Sequence, residues 1–307
     1  MPQTNKPFIP DDFLPATDQN SEMSNQSAPK KSSRRKFLKL GLAVGTAIPL
    51  LSAVDAFTVE PHWFEVNRHE ISIPNLPAEL AGLTISHITD IHIGEHTTYE
   101  QAREIVRLSN AQNPDLVVMT GDYITKSTTQ LDPLIELFRD LKSKHGIFAV
   151  LGNHDYASNT ARMKSLAKSA DIELMGNEHR VLKIKGKKLC IAGVEDLWTK
   201  RTCLKTAMQN APKNTPKILL CHNPDFAESM PRDLEIDLMI SGHTHGGQVK
   251  IPFIGPVVLP INHKKYAEGL VQGPACKVFI SRGLGMVGYP VRFNCKPEIP
   301  LLTIKPE

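Results

Sequence analysis

Ser241-Gly242-His243-Thr244-His245-Gly246-Gly247-Gln248 is the segment around which the chain is organised. The apolar run Leu238-Met239-Ile240 leads into it, and two glycines follow the second histidine. If the run is a strand, His243 and His245 fall on one side at its carboxyl end, because strand side chains alternate with a period of two. Two neutral imidazoles held there suit a metal, for which imidazole is the commonest protein ligand. A His-x-His pair alone is weak, and its weight depends on the other strand ends.

Upstream, four more apolar segments stop in the same manner. They end in Thr89-Asp90-Ile91-His92-Ile93-Gly94, Thr120-Gly121-Asp122-Tyr123, Leu151-Gly152-Asn153-His154-Asp155 and Leu220-Cys221-His222-Asn223-Pro224. Each stops at Asp, Asn or His, usually beside a Gly that lets the backbone turn sharply. Singly, Asp90, Asp122 and Asn153 read as turn formers or helix caps. Singly, His222 reads as a core histidine, and His92, His154, His243 and His245 as loop residues. Jointly they point to one site, because ligands of α/β sheets bind beyond the carboxyl ends of the strands. His62, His69, His87, His96, His145, His179 and His263 fit no such position; His87, on the strand leading to Asp90, comes nearest.

Between these ends the chain alternates strand-like and helix-like segments. Strands are expected at 64–73, 83–90, 116–122, 147–153, 217–222, 237–243, 278–280 and 299–304, with two more pieces around the turn Lys185-Gly186-Lys187. Helices are expected over 99–112, with Thr97 and Glu100 spaced as a capping box, over 158–169 and near 202–210. Another starts at an Asp132 cap with Pro133 in its first turn, and Gly146 marks its end. Such alternation predicts an α/β domain with helices over a largely parallel sheet, perhaps split in two. No internal repeat or second domain is visible.

The 307 residues, 41% apolar and 22% charged, are ordinary for a globular protein. A net charge of +4 is too small to indicate a nucleic-acid partner. The five cysteines are an odd number without a close pair, which argues against a disulfide framework or zinc ribbon; Cys221 reads as a small core hydrophobe. Residues 1–32 are polar, without apolar periodicity, and are expected to be disordered. Ser33-Arg34-Arg35-Lys36-Phe37-Leu38-Lys39 and the apolar run to Val54 resemble a twin-arginine export signal or anchor over 33–56. Cleavage after Ala56 is one outcome and an uncleaved anchor the other. The remaining 57–307 form the expected catalytic domain.

The order Asp-x-His, Gly-Asp, Gly-Asn-His-Asp, His, Gly-His-x-His resembles the calcineurin-like metallophosphoesterase superfamily over residues 83–304. The leader, Gly-His-Thr-His-Gly-Gly-Gln and the tail Gly-Leu-Gly-Met-Val-Gly-Tyr-Pro-Val-Arg are similar to its YkuE/YaeI-like phosphodiesterase branch. The resemblance implies two mixed β-sheets packed face to face and flanked by helices, a four-layer sandwich. It also implies two divalent transition metals. Asp90, His92 and His245 would hold one, Asn153, His222 and His243 the other, and Asp122 would bridge them. Mixed oxygen and nitrogen ligands suit Mn, Fe or Zn. A metal-bridging hydroxide would attack phosphorus, with His154 assisting as a catalytic acid or hydrogen-bond donor and Asp155 orienting an imidazole.

In the protein-phosphatase branch, Gly-Asp continues as Gly-Asp-x-x-Asp-Arg; here Thr125 and Lys126 stand in those places. That turns the expectation from phosphoproteins to phosphodiester or pyrophosphate substrates, and leaves Arg282 or Arg292 to meet phosphate. The run Ile251-Pro252-Phe253-Ile254-Gly255-Pro256-Val257-Val258-Leu259-Pro260-Ile261 is either a packed loop or an exposed rim. A rim would meet a lipid-bearing substrate or the membrane surface. The expected location is the periplasm or the outer face of the inner membrane, reached through the twin-arginine machinery. The alternatives are a UDP-diacylglucosamine pyrophosphatase of lipid A synthesis and, from another class, a non-catalytic metal-binding scaffold.

Overall fold

A computed structural model describes residues 34–94, 96–125, 129 and 131–307. The expected disorder of 1–32 and the position of Lys126 lie outside them. The chain divides into two units, the first reaching Ala47 and the second spanning Ile48–Glu307. The helix α1 (Arg34–Val54) carries exposed Phe37, Leu38, Leu40, Leu42, Leu50 and Leu51. No helix of the described residues is long and apolar enough to cross a membrane.

In chain order the strands are β1 (Glu65–Ile73), β2 (Thr84–Ile88), β3 (Leu116–Met119), β4 (Ile147–Ala149), β5 (Ile172–Leu174), β6 (Glu178–Ile184) and β7 (Lys187–Gly193). They continue as β8 (Lys217–Leu220), β9 (Leu238–Ser241), β10 (Lys250–Ile251), β11 (Gly255–Pro256), β12 (Gly269–Gln272), β13 (Lys277–Ile280) and β14 (Glu298–Pro306). The helices that follow α1 are α2 (Tyr99–Ala111), α3 (Leu131–Phe138), α4 (Asn153–Tyr156), α5 (Thr160–Ser169), α6 (Leu204–Ala207) and α7 (Phe226–Ser229). One sheet has the order β1-β14-β2-β3-β4-β5, the other β12-β13-β9-β8-β7-β6, and β10-β11 form a separate hairpin. The central pairings β2–β3–β4–β5 and β13–β9–β8–β7 are parallel, while β14–β2, β12–β13 and β6–β7 are antiparallel. The sheets are mixed, as expected.

The short central strands β3, β4, β8 and β9 are buried at every position because both of their faces are covered. In β3, Val117 and Met119 join the core beneath α2, α3 and α5, while Leu116 and Val118 join the core between the sheets. In β8, Ile218 and Leu220 face the inter-sheet core; Leu219 and the following Cys221 face a third core with Leu204 and Phe226. Each fully buried Leu or Ile contributes about 1.5–3 kcal/mol over leaving it exposed. Three cores thus separate four layers: helices, sheet, sheet, helices.

Several boundaries differ from expectation. The capping box of α2 is Thr98 with Gln101, one residue later than expected, because Thr97 is buried and pairs with Ile93 at the preceding strand end. The third helix begins at Leu131, so Asp132 lies inside its first turn, and it ends at Phe138, well before Gly146. The strand expected over 147–153 stops at Ala149, and Asn153 opens the short helix α4.

Candidate metal centre

The parallel strands β2, β3, β8 and β9 all point their carboxyl ends at one place. The chain must then turn abruptly, and it does so at residues other than glycine. Asp90, His92, Asp122, His243 and His245 have φ of 54°, 48°, 54°, 70° and 52°. The left-handed region costs an L-residue about 1–2 kcal/mol, so the surrounding structure must hold these residues there. Asp155 supplies part of that hold. Its carboxylate accepts N–H bonds from Asp122 (2.7 Å), Gly152 (2.9 Å), Tyr123 (3.0 Å) and Ile124 (3.4 Å). Asp155 therefore pins two strand-end loops together and does not orient an imidazole as expected. Two glycines allow the close approach: a Cβ on Gly152 would lie 2.2 Å from Asp122 Oδ1, and one on Gly242 would lie 2.2 Å from Asp90 Oδ2.

All seven expected ligands reach the resulting cluster. Asp90, His92 and His245 converge, as do Asp122, His222 and His243, and a third group joins His92, Asp122 and His154. Asp122 stands between the two sides, its Oδ2 lying 3.2 Å from His222 Nε2 and 3.5 Å from His92 Nε2. His245 Nε2 is 3.4 Å from Asp90 Oδ1 and 3.1 Å from His92 Nε2. Asn153 turns its Oδ1 to His222 Nε2 at 3.2 Å.

The proton inventory tests whether a cation fits. His222 Nδ1 donates to the Thr120 carbonyl at 2.7 Å, and His243 Nε2 donates to the Pro260 carbonyl at 3.0 Å. Each neutral ring therefore turns a lone pair inward, from His222 Nε2 and His243 Nδ1, only 3.1 Å apart. With Asp122 Oδ2 and Asn153 Oδ1 also facing His222 Nε2, four acceptors converge without a donor among them. A positive charge at their centre satisfies such a group. Burial lowers the His222 pKa, yet Asp122, then Asp90 and Asp196, outweigh it and raise it well above the imidazole value. The acceptors thus draw a proton to their centre, and a divalent ion would satisfy them better.

The other imidazoles are held neutral and ready to ligate. Burial lowers His92 to about 4 and His243 to about 3, and takes His245 well below the imidazole range. Burial pushes Asp90 up to about 6, while His222 and bonds from Thr89 and the His243 N–H pull it down. Despite burial, His222 and His92 hold Asp122 well below the carboxylate range.

Residues 83–247 match the family described as calcineurin-like phosphoesterase. The chain belongs to this family. Over 284 residues it is 34% identical to the uncharacterized metallophosphoesterase YkuE of Bacillus subtilis, covering 90% of this chain and 99% of that one. It is 31% identical to phosphodiesterase YaeI of Escherichia coli, over 89% and 99% of the two chains. With the UDP-2,3-diacylglucosamine pyrophosphatase LpxG of Chlamydia muridarum it shares 26% identity, over 86% and 96%. Membership of this phosphoesterase family and the Asp/His cluster together mark a hydrolase of phosphoesters that binds divalent metal.

The phosphoesterase centre has neighbours that were not all legible. His154 packs edge-on against His92, with centroids 4.8 Å apart. Its Nδ1 lies 3.1 Å from the Thr125 carbonyl, so the backbone takes the place of the missing carboxylate. Asn153 and His154 sit in a helical turn, not the extended segment expected. Neither expected phosphate arginine is free. Arg292 is fully buried and donates to the carbonyls of Gly285, Arg282, Gly283 and Cys295, and Arg282 pairs with Glu298 at 2.8 Å. His87 is buried with Nε2 2.7 Å from Thr120 Oγ1, outside the cluster. Trp198, which the sequence did not single out, is 56% exposed and meets the His243 ring edge-on at 4.8 Å. It follows the carboxyl end of β7, whose Glu195-Asp196 was a sixth acidic strand end and the available signal. The run 251–261 is largely exposed, at Phe253, Ile254, Val257 and Val258, and packs against the third core only at its end, through Ile261.

Proposed function

We propose that the protein is a two-metal phosphodiesterase. Asp90, His92 and His245 hold one divalent ion, of Mn, Fe or Zn character, and Asn153, His222 and His243 hold the second. Asp122 serves both. The observation that carries this assignment is the donorless ring of acceptors around His222 Nε2, with Asp122 Oδ2 shared towards His92. When bound, such a pair of ions clamps phosphoryl oxygens and makes water a nucleophile near neutral pH. The chain's own residues do the rest. The strained strand ends fix the ligands, so little reorganisation accompanies reaction. His154 donates Nδ1–H to the Thr125 carbonyl; as the imidazolium it would carry a second proton on Nε2, which passes to the departing oxygen and leaves the ring neutral.

A diester or pyrophosphate suits this site better than a monoester. The arginines considered for phosphate are committed to Glu298 and to backbone carbonyls. A dianionic monoester therefore finds less fixed positive charge than it needs, whereas a singly charged diester depends more on the metal pair. The names of the Escherichia coli and Chlamydia relatives, a phosphodiesterase and a lipid-linked pyrophosphatase, point the same way. The exposed run beside His243 favours, as a second reading, a substrate whose pyrophosphate carries a lipid. The test compares kcat/KM for an aryl diester and an aryl monoester on one metal-reconstituted preparation. A higher value for the diester is expected, and a monoester preference of about tenfold overturns the assignment. Metal-loaded protein inert on diesters, monoesters and pyrophosphates alike would instead identify a scaffold.

We further infer export by the twin-arginine route to the periplasm or the outer face of the inner membrane. The sequence Ser33 to Lys39 supports it. Replacing Arg34 and Arg35 by Lys should retain active enzyme in the cytoplasm, and unchanged export would count against it.

A further inference from the structure

The mouth of the site carries an apolar rim that none of the described residues of the second unit covers. The hairpin β10–β11 projects Pro252, Phe253 and Ile254 from its tip, closed by an Ile254 N–H to Ile251 carbonyl bond of 3.1 Å. Phe253 is wholly exposed, at 110% of the reference value, and Ile254, Val257 and Val258 are exposed beside it. The tip also holds Phe253 at a φ of 67°, a conformation unfavourable for a bulky residue. Isolated exposed apolar side chains are ordinary, but several on one projecting hairpin mark an interaction surface.

Two amphipathic aromatics border the same region. Gln248, just before the hairpin, accepts the Val287 N–H at 2.7 Å and donates to the Val287 carbonyl at 3.3 Å. That ties the 287–291 loop, with its exposed Tyr289, to the hairpin base. On the return, the Pro260 carbonyl accepts from His243, against which Trp198 lies. The chain then leaves the apolar run through Asn262, His263, Lys264 and Lys265, all exposed.

We propose that this rim seats the protein on a lipid bilayer with anionic headgroups, the β10–β11 tip entering the boundary between headgroups and acyl chains. A fluid phase accepts a convex, protruding tip without a matching groove. Tyr and Trp are the residues enriched at membrane–water interfaces. Lysines beside an apolar wedge can lie along it and reach anionic headgroups. The placement brings His243 and its neighbours near the headgroup plane, where the phosphate of a lipid-linked substrate lies. Vesicle binding requires no turnover, so this surface can fail while the hydrolase assignment stands, and the reverse.

The experiment uses the full chain and vesicles of equal parts phosphatidylglycerol and phosphatidylcholine, with pure phosphatidylcholine for comparison. Because α1 bears its own exposed leucines and basic residues, amide hydrogen exchange resolved to residues 251–258 is the deciding readout. Anionic vesicles should slow exchange there, and pure phosphatidylcholine should do so less. Phe253→Ser combined with Ile254→Ser should weaken vesicle partition by at least about tenfold to a hundredfold, the transfer worth of one of the two side chains. Its kcat/KM on a soluble aryl diester should stay at the wild-type value. Unchanged exchange in 251–258, or exchange there slowed as much in the double variant as in the wild type, overturns the proposal. Protection that grows with protein concentration in the absence of vesicles would also overturn it, and would assign the rim to a second copy of the chain.

Discussion

The two sides of the metal centre use the same kinds of ligand but hold their imidazoles differently. Around His222 and His243, the carbonyls of Thr120 and Pro260 occupy the outward ring nitrogens and set the tautomers. Around His92 and His245, both Nδ1 atoms are buried and lack a partner among the described residues. One side is thus arranged before an ion arrives; the other chooses its tautomer as it binds. An outer hydrogen bond to a ligating histidine is commonly worth about 10–100-fold in metal affinity, so the two sides should bind with unequal strength. Asp122, which touches both, couples them.

The largest way to break the comparison is to remove that coupling. Asp122→Ala should lower bound metal on both sides and reduce turnover by more than His92→Ala does. Assays of metal content and aryl-diester hydrolysis on both variants check this; metal loss confined to one side would show that Asp122 does not bridge. Next in size is His154→Ala. It should cost about 10²–10⁴ in kcat, the usual worth of a general acid or base, with metal content unchanged. Loss of metal in that variant would move His154 among the ligands. The smallest effect is expected from Trp198→Ala, which strips an aromatic contact from His243 alone. KM should rise about two- to tenfold, in line with the energy of such contacts, and the weaker metal class should be unaffected. An equal change in both metal classes would show that the aromatic acts on the whole centre.

Much of the site was legible because it lies where strands stop. Apolar runs ending at Asp90, Asp122, His222 and His243 mark both the strand and its ligand, and the alternation between them gives the layers. The sixth end, at Glu195-Asp196, was passed over although Gly193 closes β7 and Asp196 follows three residues later, the spacing of Asp122 beyond β3. Arg292 could not be placed from sequence, since the four carbonyls that bury its charge are brought together only by folded loops. The Thr125 carbonyl that serves His154 is invisible for the same reason: every residue has one. The left-handed backbone of Asp90, His92, Asp122, His243 and His245 was equally hidden, because these residue types do not announce positive φ as glycine does. The α2 cap moved by one residue because Thr97 and Thr98 both begin a passable box, and burial of Thr97 decided between them.

Under the proposed function, a coupled pair of unequal metal sites does the chemistry. The direct measurement is a titration of chelator-treated full-length protein with manganese, following bound metal and aryl-diester hydrolysis in the same samples. Two binding steps about 10–100-fold apart are expected. The tighter step should be lost in His243→Ala and the weaker in His92→Ala, and hydrolysis should rise only with the second. Full activity in the metal-free protein, or after one equivalent, would contradict it.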